Sequence, residues 1–265
     1  MSQAEAVTSR CRPRNQGTEI AKNDRRPDST NVLPWTAMAT EDVHDSDIDL
    51  AQIRRLASVA ELRQIIGDPL PLVCAKVAVS LNHLTRQFVK RSPFVCLATS
   101  DPDGNCDVTP RGDPPGFVRI LDDRTLLLAE RPGNRLADAL RNIIANPHVG
   151  LLFIIPGVTD TFRVNGRAWI TDDVDLLAPS THDGRAPRLG VVIEIDEAFT
   201  QCSKAFIRSA LWDPARFVGP EILPTNGEIM AVVAASFNAE HNPDFTAEAH
   251  DIARAERYSR GEGLY

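Results

Sequence analysis

Four arginines in the middle of this chain stand within two residues of Gly, Pro or Asn. Arg111 lies in Val108-Thr109-Pro110-Arg111-Gly112-Asp113, Arg131 and Arg135 in Arg131-Pro132-Gly133-Asn134-Arg135, and Arg163 in Phe162-Arg163-Val164-Asn165-Gly166. A guanidinium is planar, permanently charged and able to donate in pairs, which is the chemistry that grips phosphate. Gly133-Asn134 precedes an apolar helical pattern, so it offers free backbone N–H groups at the positive end of a helix. Taken singly, each arginine is equally explained by a surface pair with Asp107, Asp113, Asp122, Glu130 or Asp138. As a set they point to a phosphorylated ligand lying across a β-surface.

Other chemistries find little support. There is no G-x-x-x-x-G-K-[ST], no G-x-G-x-x-G after a first strand, no H-E-x-x-H and no G-x-S-x-G. The histidines, His44, His83, His148, His182, His241 and His250, form no pair at helical ligand spacing, so no metal site is expected. The cysteines, Cys11, Cys74, Cys96, Cys106 and Cys202, are scattered and odd in number, the pattern of a reducing compartment. Cys106, close to Arg111, reads as a small core residue rather than a reactive thiol. A net charge of -7 disfavours a nucleic-acid surface. No run approaches the ~18 apolar residues of a membrane span, and no secretory apolar region opens the chain. These features predict a cytoplasmic protein with neither nucleic-acid nor membrane partners.

The elements that must position the arginines follow from periodicity. Residues 1–45, rich in Arg and polar residues, read as a disordered arm, and Met38 resembles an ordinary start. Residues 46–91 read as a helical lead-in. Leu50, Ile53, Leu56, Val59, Leu62 and Ile65 mark helical pieces that end at Gly67, and Val73, Val77, Leu81, Leu84 and Phe88 mark a second helix. The period then changes to that of strands. Phe94–Thr99 and Asn105–Thr109 flank the turn Asp103-Gly104, and Phe117–Leu121 and Thr125–Glu130 form another hairpin. A short helix with Leu136, Leu140, Ile143 and Ile144 on one face precedes strands at Val149–Ile155, Phe162–Ile170 and Gly190–Ile195. Residues 201–265 read as a helical extension packed on the barrel. The predicted class is α+β, a six-stranded antiparallel split β-barrel of Greek-key type with flanking helices over residues 92–200.

The same residues carry a family resemblance. Ser92-Pro93-Phe94, Asp103-Gly104, Thr109-Pro110-Arg111-Gly112-Asp113-Pro114-Pro115-Gly116-Phe117, Gly133-Asn134-Arg135, Asn142, Asn146-Pro147, Gly150-Leu151-Leu152-Phe153 and Arg163-Val164-Asn165-Gly166 resemble the pyridoxamine 5'-phosphate oxidase-like FMN-binding split-barrel superfamily, and its bacterial oxidase-related branch. Cys202-Ser203-Lys204-Ala205 and Leu211-Trp212-Asp213-Pro214 extend the likeness towards the C-terminus. The resemblance implies FMN at a homodimer interface. It places cofactor contacts on Asp107, Val108, Thr109, Pro110 and Arg111, on Ala129 and Glu130, and at a helix start on Asn134 and Arg135. Lys204, Arg208 and Trp212 would come from the partner subunit or the other side of the flavin ring.

The implied activity is that of an FMN-dependent oxidoreductase acting on an unidentified small molecule, with no side chain assigned as catalytic. The alternative is a non-catalytic flavin, deazaflavin or haem binding or storage protein, with His148 as the axial-ligand candidate for haem. The oxidases proper carry an Arg-x-His element near the C-terminus; here the tail reads Arg257-Tyr258-Ser259-Arg260-Gly261. Pyridoxamine 5'-phosphate oxidation itself is therefore not expected.

Overall fold

The structure, a computed structural model, describes Asp49 and residues 51–265. The expected arm at 1–45 lies outside the described residues. The chain divides into two compact units, residues 1–76 and 77–265.

In the first unit, helix α1 (Val59–Ile66) opens where the Ser58 hydroxyl accepts from the Glu61 N–H, and closes at Gly67, whose φ of 72° few other residues adopt. A single turn, α2 (Pro71–Ala75), follows.

The second helix does not run through Val77 and Leu81 as the spacing predicts. In the second unit Ala78 exchanges backbone hydrogen bonds with Ala198, at 3.1 and 2.7 Å, and the Leu81 N–H donates to the Asp123 carbonyl at 2.7 Å. Helix resumes only at α3 (Thr85–Arg91), after the Asn82 side chain has accepted from the Leu84 and Thr85 N–H groups. Partners from a distant strand and a distant turn thus claim backbone groups that a continuous helix would use.

The sheet is antiparallel throughout and comprises β1 (Phe94–Ser100), β2 (Cys106–Gly112), β3 (Val118–Ile120), β4 (Thr125–Glu130), β5 (His148–Ile154), β6 (Thr161–Thr171) and β7 (Leu189–Gln201). Its order is β2-β1-β5-β6-β7-β4-β3. Seven strands stand where a six-stranded barrel was expected, and each coincides with one of the seven extended runs located from the sequence, the shortest being β3, paired only with β4. This is an α+β split barrel: a curled sheet with flanking helices.

Alternation builds the core. Val95 and Leu97 of β1, Val149, Leu151 and Phe153 of β5, and Phe162, Val164 and Ala168 of β6 point inward as one buried cluster. Each large side chain there contributes about 1.5–3 kcal/mol of apolar burial. Phe88 of α3 stacks on Phe162 at 5.6 Å between ring centroids. Strand β4 is buried on both faces. Leu126 and Leu128 join the main core, while Leu127 packs with Val192 and with Leu177 of the short helix α5 (Val174–Leu177). Helix α4 (Asp138–Ala145) buries Ala139 and Ile143.

Strand β7 runs well past the expected Ile195, because a bulge at Asn165/Gly166 lets β6 remain paired with it as far as Thr161↔Gln201. The C-terminal region adds α6 (Lys204–Arg208), α7 (Asn226–Val233), α8 (Ala235–His241) and α9 (Ala247–Ser259). Helix α9 docks on α7 through Asp251, whose carboxylate accepts from the Gly227 N–H at 2.8 Å. No helix among the described residues is long and apolar enough to cross a membrane.

Candidate functional site

Strand order leaves β2 at one end of the sheet and the β3–β4 hairpin at the other, and no backbone ladder joins them. Side chains do. Arg111 of β2 donates through Nη2 to Glu130 Oε1 at 2.7 Å and through Nε to Oε2 at 3.1 Å, a two-point grip on the end of β4. A second pair crosses the same seam: Arg131 Nε to Asp113 Oδ2 at 2.7 Å, with the Asp113 side chain 4% exposed. Pro110, which has no N–H, is tolerated on β2 because the strand is an edge.

The seam opens into a cleft of about 800 Å³ between β2, the end of β4 and the 131–140 segment. Nine of the residues assigned from the sequence line it: Asp107, Val108, Thr109, Pro110, Arg111, Ala129, Glu130, Asn134 and Arg135. Phe117, Leu140 and Leu189 add apolar surface. Lys204, Arg208 and Trp212 are not in this lining; the first two belong to α6 beyond the end of β7, and the Trp212 Nε1–H donates to the Val158 carbonyl at 2.9 Å.

Two local expectations are corrected. Helix α4 begins at Asp138, so Asn134 and Arg135 lie in the loop ahead of it rather than at its start. The Asn134 side chain accepts from the Leu136 N–H at 3.0 Å, and Arg135 and Ala137 take φ of 67° and 58°, so the chain turns twice before it can coil. That turn leaves the N–H groups of Gly133, Asn134 and Arg135 without a donor bond among the described residues. Successive free N–H groups in such a turn form an anion-accepting concavity. Cys106, expected in the core, is instead exposed at the hairpin corner and outside the cleft lining.

The arginines separate into different roles. The charges of Arg111 and Arg131 are matched by Glu130 and Asp113, and Arg111 Nη1 also donates to Thr109 Oγ1 at 2.7 Å. Arg163 is not in the cleft lining; it donates to Asn165 Oδ1 and lies over the Phe199 ring. Arg135, like Arg163, forms no ion pair among the described residues, and of the three arginines that line the cleft it is the one without a matched carboxylate. His148, exposed at the start of β5, has its Nδ1 2.9 Å from Asn146 Oδ1 and does not line the cleft. Among the described residues no group of three or more His, Cys, Asp or Glu is placed to hold a metal.

Other contributors were given no role in the site from the sequence. Asn142 of α4 is 9% exposed; its Nδ2 donates to Thr99 Oγ1 at 3.1 Å and Asp107 Oδ2 at 2.7 Å, fixing the start of β2 against the helix. Leu189 reaches the cleft because it pairs with Glu130 across β4 and β7. Asp113 and Arg131 were legible as partners but not as a seam, since that depends on the curl of the sheet. The lining contains no Cys, His, Lys or Ser; its polar side chains are Thr109, Asn134, arginines and carboxylates. Its chemistry is recognition: an anion-accepting loop, a free guanidinium and an apolar wall.

The sequence pattern of the pyridoxamine 5'-phosphate oxidase family matches residues 81–202. No curated protein matches the chain. Among solved structures, a candidate pyridoxamine 5'-phosphate oxidase from Lactobacillus delbrueckii is 28% identical, with a TM-score of 0.37, over 46% of this chain and 95% of that one. General Stress Protein 26 from Bacillus anthracis is 19% identical, with a TM-score of 0.35, over 45% and 94% of the two chains. An FMN-binding protein from Syntrophomonas wolfei is 9% identical, with a TM-score of 0.35, over 45% and 89%. Over residues 81–202, which form the barrel, the chain is thus similar to the pyridoxamine 5'-phosphate oxidase family.

Proposed function

We propose that the seam cleft binds FMN and that the protein is an FMN-dependent oxidoreductase acting on a small molecule. One observation carries the reading: nine residues assigned to a flavin from the sequence converge on a single cleft, beside a loop whose N–H groups at residues 133–135 make no hydrogen bond among the described residues. The fit is physical. A volume of about 800 Å³ lies within the range of cofactor sites. A phosphomonoester carries roughly two negative charges near neutral pH, and Arg135 with the N–H groups of residues 133–135 supplies charge and donors to meet them. The Thr109 oxygen accepts from Arg111, leaving its proton free to donate. Ala129, Phe117, Leu140 and Leu189 provide the apolar wall that a flat ring needs.

When bound, FMN supplies hydride and electron transfer; the protein supplies binding, orientation and electrostatics. Arg111, locked by Glu130 and Thr109, sits as a fixed dipole rather than as a free charge. Lys204, Arg208 and Trp212, absent from this cleft lining, are assigned to the same site from a second copy of the chain. A flavin or deazaflavin carrier without turnover is the second reading, since the same cleft would bind the cofactor whether or not a substrate follows.

The test is a visible spectrum of the purified protein, identification of any heat-released chromophore, and flavin fluorescence titration of the stripped protein. FMN should bind, and Arg135→Ala should weaken it about tenfold, as the loss of one charged hydrogen bond to phosphate does. A protein that neither carries nor takes up FMN overturns the reading.

A further inference from the structure

After helix α9 the chain turns back towards the barrel. Gly261 and Gly263 take φ of 67° and 77°, residues 262–264 stay exposed, and Tyr265 is half-buried. Two structures hold it. The first is the turn at residues 182–185, where Asp183 and Gly184 take φ of 47° and 72°, the two positive values of a tight hairpin turn. His182 and Arg185 exchange backbone hydrogen bonds across it at 3.2 and 2.8 Å, so their side chains leave from neighbouring points. Both reach Tyr265: the His182 ring stacks on its ring at 4.1 Å between centroids, and Arg185 Nη1 donates to its backbone oxygen at 3.0 Å.

The second is the seam. The Tyr265 phenol bonds to the Asp113 side chain, and the Arg131 guanidinium lies over the Tyr265 ring, 5.2 Å from its centroid. Arg131 is thereby fixed three ways: Nε to Asp113 at 2.7 Å, Nη2 to the Ser180 carbonyl at 3.0 Å, and its face to Tyr265. Its backbone opens the 131–135 loop. Residues 132–137 are exposed, and a Cβ added at Gly133 would meet nothing within 4 Å, so no neighbour braces the loop at that point. The loop is positioned from its two ends, Arg131 and helix α4.

We infer that Tyr265 is a positioning residue for this loop: it clamps Arg131 and so sets where the N–H groups of residues 133–135 are presented to the cleft. Tyr265 is not in the cleft lining and acts through Arg131 rather than by touching the ligand. The inference rests on the flavin reading, in which the loop meets the FMN phosphate. Phosphate recognition then depends on a side chain that follows the helical extension, outside the barrel strands.

Fluorescence titration of the stripped full chain with FMN, and with riboflavin, which lacks the phosphate, tests it. Tyr265→Ala should weaken FMN about fivefold and leave riboflavin within about twofold, because only the phosphate end of the site loses its support. Tyr265→Phe keeps the ring on Arg131 and His182 and should hold FMN affinity within about twofold of the unsubstituted protein. A merely structural role would weaken both flavins alike. Equal weakening of both, unchanged FMN affinity in Tyr265→Ala, or a Phe variant as weak as the Ala variant would each overturn the inference. A readout without flavin separates it from the reading on which it rests: inorganic phosphate should shift the Gly133 amide resonance of the unsubstituted protein and not that of Tyr265→Ala. A chain that takes up neither flavin yet shows this Tyr265-dependent shift fails the flavin reading and keeps the positioning role. A chain that takes up neither flavin and shows no shift overturns both.

Discussion

Arg111 meets a carboxylate and a hydroxyl of its own chain before it meets any ligand. The sequence showed the arginine and its acidic candidates but could not choose between ligand and partner, because that choice depends on two strands 19 residues apart being brought together. Glu130→Gln should therefore act twice. Removing the counter-charge from a guanidinium 16% exposed costs about 1–3 kcal/mol of stability, read as a lower denaturant midpoint. The extra positive charge at the cleft should tighten FMN binding, read by fluorescence titration. Unchanged values in both measurements would show the pair to be idle. The two tyrosines of the chain offer a titration of their own. A hydrogen bond to the Asp113 side chain raises the Tyr265 pKa, while one from Arg254 lowers that of Tyr258. Phenolate absorbance should rise in two steps, one below and one above the ordinary value of about 10. For Tyr265 the sign is that of a raised group: its contact with Asp113 stabilises fully below about pH 10 and is lost as pH climbs through the folded-state value. Tyr265→Phe should delete the upper step alone; a single step at the ordinary value would refute the contact.

Among the elements, β6 and β7 show what pattern reading reaches and what it does not. Alternation from Phe162 to Ile170 located β6 and its buried face, since a period of two survives in any half-buried strand. The six further residues of β7 after Ile195 were missed because the bulge that extends the pairing depends on Gly166, and a bulge has no period. At that glycine a Cβ would lie 2.0 Å from the Glu194 carbonyl oxygen. At Gly190 a Cβ would meet Leu177 Cδ2 at 2.7 Å and Leu127 Cδ1 at 3.0 Å, both ends of flexible side chains. Gly166→Ala should accordingly cost at least the ~3 kcal/mol upper range of overpacking, and Gly190→Ala about 1 kcal/mol. Equal midpoints in urea would contradict this ranking. The loop ahead of α4 was misread for a related reason: the apolar spacing of Leu136, Leu140 and Ile143 is helical, but Asn134 and two left-handed residues delay the coil by a turn.

For the whole molecule, the class, the hairpins and the embedded helix were all legible, because they follow from local period and turn residues. The closure of the barrel was not. Whether two chains share the flavin is a question of assembly, and light scattering on FMN-loaded protein at micromolar concentration should give a dimer mass; a monomer would remove Lys204, Arg208 and Trp212 from the site. The closure itself has a further consequence. Backbone ladders are quantised: a strand that slips by one residue turns its buried side outward, so the other joints of this sheet tolerate no gradual adjustment. The joint between β2 and β4 has no such steps, since its gauge is set by the reach of Arg111, Glu130, Arg131 and Asp113. Exchanging Asp113 for Glu, or Glu130 for Asp, changes that gauge by one methylene while every ladder keeps its register. The bore of the cleft is thus free to drift in small increments on a barrel that stays the same, which gives one scaffold a graded route to ligands of different girth.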